Sequence, residues 1–233
     1  MTFRKSTLAL TLLAVAAPAA RAQSIGDYVA YFALTVTPQA ALAPLQFGAD
    51  AATAPGSIDL RYGRISYGSD ENFNDFALSA SAPVGPGRLG ATLGAVTCDG
   101  CDALLMLGLD YEQAMFVQQH EGNALAIGLA PAIGVAKPTG GQDGLAMSAS
   151  LGLPLSISSG SDNRVTVFVT PGFGYGRLSE DGESESGTRP MLGLGLWLRT
   201  TSGIGFSIGA QKVFIEDGEM VMGAGLSIAT GKR

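Results

Sequence analysis

From residue 57 onward the chain alternates between large aliphatic residues and very small ones. In "MLGLGLWLR" (191–199), Leu192, Leu194, Leu196 and Leu198 share one parity, and Gly193, Gly195, Trp197 and Arg199 share the other. The pattern resumes in 204–211, with Ile204, Phe206 and Ile208 set against Gly205, Ser207 and Gly209. Period two places successive side chains on opposite faces of a β-strand. The same register recurs in 57–68, 75–84, 88–97, 103–116, 123–137, 144–158, 163–178 and 219–229, for ten predicted strands in all. No 3.6-residue period competes with it, so the pattern predicts no helix in the mature chain.

An aliphatic face opposite a face of glycine and serine is the wrong way round for a water-soluble sandwich, whose outer face carries the polar residues. It suits a closed barrel in a bilayer, because lipid offers the backbone no hydrogen-bonding partners and a closed barrel leaves no unpaired edge. In a narrow barrel the inward side chains converge, and small residues relieve the crowding. The predicted fold is therefore all-β: an antiparallel up-and-down transmembrane β-barrel of about ten strands over residues 57–233, with eight or twelve as the neighbouring even counts. Residues 23–56 form a separate N-terminal segment, periplasmic or lumenal. Because "DYVAYFALTVTP" (27–38) also alternates, the same segment is a source of extra strands.

Ahead of the alternating region, "MTFRKSTLALTLLAVAAPAARAQS" has a basic start, an apolar stretch and a small-x-small site at Ala20–Ala22. Residues 1–22 thus read as a cleaved signal peptide, since the apolar run is too short for a membrane anchor. The full chain carries 14 basic and 20 acidic residues. Without Arg4, Lys5 and Arg21 the balance is 11 against 20, a net charge of −9. That is no footprint for nucleic acid. Only 15% of residues are charged while 46% are hydrophobic, far from the charged surface a soluble domain wears. The connections alternate as well: "SDENFND", "SEDGESESGTR" and "IEDGE" fall in a longer, acidic set, and the other set is shorter and plainer.

On this alternation and these loops, residues 57–233 resemble the single-chain outer-membrane β-barrel proteins of Gram-negative bacteria, small porin-like barrels among them. The resemblance is one of architecture. It implies export to the outer membrane, lipid as the partner of the outer face, and small solutes as candidates for the lumen. Such barrels commonly finish on an aromatic residue, whereas this chain finishes "SIATGKR". A second reading keeps the strands but makes the protein a secreted surface or assembly protein whose apolar face packs on other subunits.

Candidate chemistry is sparse. Asp59, Arg61, Asp110, Glu112, Arg164 and Arg199 share the inward parity. Charges inside a barrel must pair or line water, so this set forms either a polar constriction or a salt-bridged plug. Cys98 and Cys101 are the only cysteines. Their spacing lacks the helix start of a redox motif and the further ligands of a zinc site, so a disulfide stapling an exported loop is expected. His120 is the single histidine and has no serine beside it in "VQQHEGN". With no base for a triad, the chain is not expected to be an enzyme. No metal or other cofactor is expected.

Overall fold

The computed structural model describes residues 25–36, 56–67, 71–98, 102–140, 144–160, 163–180, 182–215 and 220–230. The expected leader, 1–22, lies outside them, as does most of 37–56. One helix, α1 (Ile25–Val36), precedes β1 (Gly56–Tyr67), β2 (Glu71–Val84), β3 (Gly87–Cys98), β4 (Leu104–His120) and β5 (Asn123–Pro138). The wall continues through β6 (Gly144–Gly152), β7 (Leu155–Ser159), β8 (Arg164–Glu180), β9 (Glu183–Arg199), β10 (Ile204–Val213) and β11 (Met220–Thr230). Neighbours in sequence are neighbours in the sheet, every pairing is antiparallel, and β1 pairs with β11, so the barrel closes.

β6 and β7 are two pieces of one stave, because both lie between β5 and β8. The described wall therefore has the ten staves that the alternation predicts. The break falls at Leu153 and Pro154, where proline has no N–H to give. It is bridged on both sides: the Leu153 N–H donates to the Pro171 carbonyl at 2.9 Å, and the Gly128 N–H donates to the Pro154 carbonyl at 2.8 Å.

Register carries the two faces around the wall. Leu60, Leu78, Leu93 and Leu107 are successive cross-strand partners and each is more than half exposed. They belong to a continuous aliphatic belt. In the same belt the alanines Ala80, Ala91 and Ala149 sit low between larger neighbours and leave an outer groove of about 780 Å³. The opposite parity is buried and small. Ser79 and Thr92 face each other with hydroxyls 2.6 Å apart, and Ser158 and Thr166 do the same at 2.8 Å. Paired hydroxyls satisfy each other where water is excluded. In the 191–199 stretch Leu194 is 47% exposed, while Gly193 and Trp197 are buried. Along the belt the large aliphatic side chains face out, and the lumen takes the glycines, hydroxyls and charges, with an apolar set reserved for the far half.

Two local expectations need correction. Of the window 27–38, residues 27–36 are helical and 37–38 lie outside the described residues, so the mature chain is not without a helix: residues 25–36 form α1. The alternation there was uninformative because the segment is apolar on nearly every side, and a helix that is apolar all round is a buried one. Ala30, Tyr31, Ala33, Leu34 and Thr35 are all buried. The Thr35 hydroxyl donates back to the Tyr31 carbonyl at 2.9 Å, which leaves no polar group of that side chain facing an apolar wall. β4 also runs on to His120, past the predicted end at 116, through a β-bulge between Ala114 and Phe116. The extra residue breaks the parity, so Met115 and Phe116 are both exposed.

Candidate functional site

The lumen is built in two levels. β1 begins and β11 ends at one rim, here termed the closing rim; Tyr67, Cys98, Pro138, Glu180 and Val213 mark the opposite, far rim. Near the closing rim the lining is charged. Asp59 on β1, Arg88 on β3 and Glu112 on β4 are each at most 4% exposed. Arg88 and Glu112 are direct cross-strand partners, as are Gly90 and Asp110. Gly90 is needed there: a Cβ at that position would sit 2.5 Å from an Asp110 carboxylate oxygen. Ser57 donates to Asp59 Oδ2 at 2.9 Å, its Oγ lies 2.9 Å from Ser81 Oγ, and Arg88 Nη2 donates to Ser81 Oγ at 2.6 Å. Arg61, one turn of the pleat further in, lies between Asp59 and the position where Asp75 pairs with Gly63.

The structure thus brings Asp59, Arg61, Asp110 and Glu112 into one cluster and adds Asp75 and Arg88 to it. Both additions carry the inward parity of their strands. Each is the first residue of its predicted strand (75–84 and 88–97), where parity alone places it inward, yet neither was counted among the lumenal charges; β2 in fact begins earlier, at Glu71, and β3 at Gly87. Four carboxylates against two guanidinium groups leave the cluster formally negative. In a low-dielectric lumen such charges hold only by mutual pairing and hydrogen bonds, and Asp59, Arg88 and Glu112 are all buried here.

Arg164 and Arg199 are not part of it. They pair with each other in register at the closing-rim ends of β8 and β9, and the Arg199 guanidinium carbon lies 5.8 Å from the Trp197 ring centroid. That is cation–π distance. Trp197 and Phe168 fill the lumen on this side. Phe168 packs with Ala130 and Ala132 on the next stave but one, an aromatic on the small-residue face that strict alternation does not anticipate.

Toward the far rim the lining is mostly apolar, with Arg189 opposite Gly174 in register, and α1 occupies it. Ala33 lies in a cluster with Ile65, Ala77, Val96, Met106, Ala136, Ala146 and Val221, residues from seven staves. Tyr31 and Leu34 pack on Met191 and Val213. β8 supplies the closest approach through two glycines. A Cβ on Gly176 would stand 2.7 Å from the Ala30 Cα, and one on Gly174 would run into the Leu34 side chain. The glycines let helix and wall touch backbone to backbone, which is where close packing needs no side chain. Below the helix, Gln211 on β10 points into the lumen and is 1% exposed.

Other sequence candidates lie at the rims. His120 is exposed in the β4–β5 turn at the closing rim, its Nε2 3.9 Å from the Glu121 carboxylate. Cys98 ends β3 at the far rim, half-buried; Cys101 lies outside the described residues. Among the described residues no group of three or more His, Cys, Asp or Glu side chains is placed to hold a metal ion.

No family model matches the chain, and no curated protein sequence matches it. Among solved structures the chain is similar to Ail, the attachment invasion locus protein of Yersinia pestis, at 12% identity and a TM-score of 0.33, with 75% of this chain and 94% of that chain covered. A likeness that slight adds nothing to what pairing and burial establish. Closed by β1 and β11, aliphatic outside and small or paired inside, the chain has the architecture of the single-chain outer-membrane β-barrels.

Proposed function

We propose that the protein resides in the outer membrane of a Gram-negative bacterium and spans it as a closed, non-conducting barrel. It is a structural or ligand-holding membrane protein, and neither an open porin nor an enzyme. The observation that carries this reading is a lumen that holds buried charged side chains near one rim and α1 near the other. An aliphatic belt with leucines more than half exposed supports lipid as the partner of the outer face, since exposed apolar area on that scale needs a cover other than water. In this reading the closing rim faces the periplasm and the acidic β8–β9 hairpin faces outward.

The test is purification with and without detergent, then single-channel recording in planar bilayers. The protein is expected to need detergent, to migrate heat-modifiably, and to give a silent bilayer. Sustained unitary steps from the full chain would restore the porin reading, and a soluble multimer without detergent would favour the subunit-packing alternative. The disulfide belongs to the same reading, because an oxidising compartment favours it. Alkylation of the exported, unreduced protein is expected to find neither Cys98 nor Cys101 free. Two alkylated cysteines in the mass spectrum would refute the staple.

A further inference from the structure

Both amide atoms of Gln211, Nε2 and Oε1, are buried with no hydrogen-bond partner among the described residues. A buried amide left unmade on both sides is costly, so its place in the fold calls for a reason. Register puts Gln211 opposite Val221 on β11 and Gly193 on β9. Val221 packs in the cluster around Ala33, and Val213, two residues along the same strand face, packs on Leu34. Gln211 therefore sits at the foot of the space that α1 fills. That space is lined mostly by small and apolar side chains, with Ala77, Ala136, Ala146, Gly174 and Gly176 among them, and Arg189 faces Gly174 in register.

We infer that the far half of the lumen is a binding chamber for a small apolar molecule with one uncharged hydrogen-bonding head, that Gln211 anchors the head, and that α1 is the chamber's exchangeable occupant. The inference rests on the barrel reading above. A carboxamide both donates and accepts, which fits an alcohol or an amide head. An apolar chamber of this kind stays dry when vacated and takes apolar guests. A few convergent polar atoms in an apolar pocket are the usual arrangement of a ligand site.

The experiment uses the full chain in lipid vesicles, with a straight-chain alcohol bearing an aliphatic diazirine as photoprobe and residue-level mass spectrometry as readout. Gly176→Leu is the unseating variant and Gly174→Val the reserve; heat-modifiable migration selects the one that folds. Release of α1 is read separately, as maleimide reactivity of Ala33→Cys in a background with Cys98 and Cys101 replaced by serine. Folded unseated barrel is expected to show labelling of Met106, Val96 and Val221 several-fold above the parent. Adding Gln211→Leu is expected to lower that labelling for the alcohol and to leave it unchanged for a hydrocarbon diazirine of equal length.

Leu93 and Leu107 on the outer face are labelled equally throughout if the barrel reading holds, and their silence would sink that reading by itself. Outer labelling with α1 released and no rise at Met106 would overturn the chamber. An α1 that stays sealed in both folded variants would overturn its exchangeability. Equal loss of the alcohol and the hydrocarbon in Gln211→Leu would overturn the anchor.

Discussion

Replacing Arg88 by methionine is expected to destabilise the barrel by about 3–5 kcal/mol, the usual cost of removing one partner from a buried ion pair. Arg88 is 2% exposed, faces Glu112 directly across the β3–β4 ladder and donates to Ser81 at 2.6 Å. Without it, Glu112, Asp110 and Asp59 share a sealed lumen with only Arg61 against them. Methionine keeps most of the volume, so the loss measures charge and not packing. The measurement is the urea midpoint of protein folded into lipid vesicles. Adding Glu112→Gln is expected to return part of the loss, since the two side chains act as a unit. A single variant that unfolds with the parent would mean that the level is hydrated and carries no plug.

Leu194→Arg tests the other face. Leu194 is 47% exposed on the outward parity of β9, between Val169 and Ala210 on the neighbouring staves. An arginine on the lipid face near the bilayer midplane costs about 2–4 kcal/mol, so insertion yield and urea midpoint should both fall. Its neighbour provides the contrast. A Cβ on Gly195 would meet the Phe168 ring and stand 2.7 Å from the Ile208 carbonyl. Gly195→Leu is therefore an overpacking change, expected to cost about 1–3 kcal/mol, with insertion retained. If the arginine variant inserts as well as the parent while the leucine variant does not, the two faces have been assigned the wrong way round.

The wall was legible because period two is a local property that survives in every stave. Leu192–Leu198 against Gly193–Arg199 is enough to orient β9 before any partner is known. The single predicted strand over 144–158 survives as β6 and β7 because the flanking staves bond across Pro154. The contents of the lumen were legible only in part. Asp59, Arg61, Asp110 and Glu112 follow from parity, and Asp75 and Arg88 obey the same parity but open their predicted strands, where a terminal residue is easily assigned to the neighbouring turn. α1 was illegible for a different reason. A segment apolar on nearly every side gives an alternation that carries no information, and its helical state is imposed by a wall contributed by distant strands. Gly174 and Gly176 read as small lumenal residues, yet nothing local says that their smallness fits a helix. The bulge at Ala114–Phe116 is likewise a register event, visible only against β5.

α1 precedes all the strands in the chain, yet its seat is assembled from β1 through β6 and β8 through β11. Its contacts with Gly174, Gly176 and Met191 span about 140 to 160 residues of intervening chain, and none of those surfaces exists before the staves are joined. The segment that leaves the ribosome first is thus the last to find its place. Until β1 meets β11, Ala30, Ala33 and Leu34 have only water or a chaperone to contact. Long-range closure is the slow part of building any such topology, so the interval is one in which an apolar N-terminal segment must be kept from sticking elsewhere. The seal is also a checkpoint: only a barrel with every stave in register offers the helix a complete ring to enter.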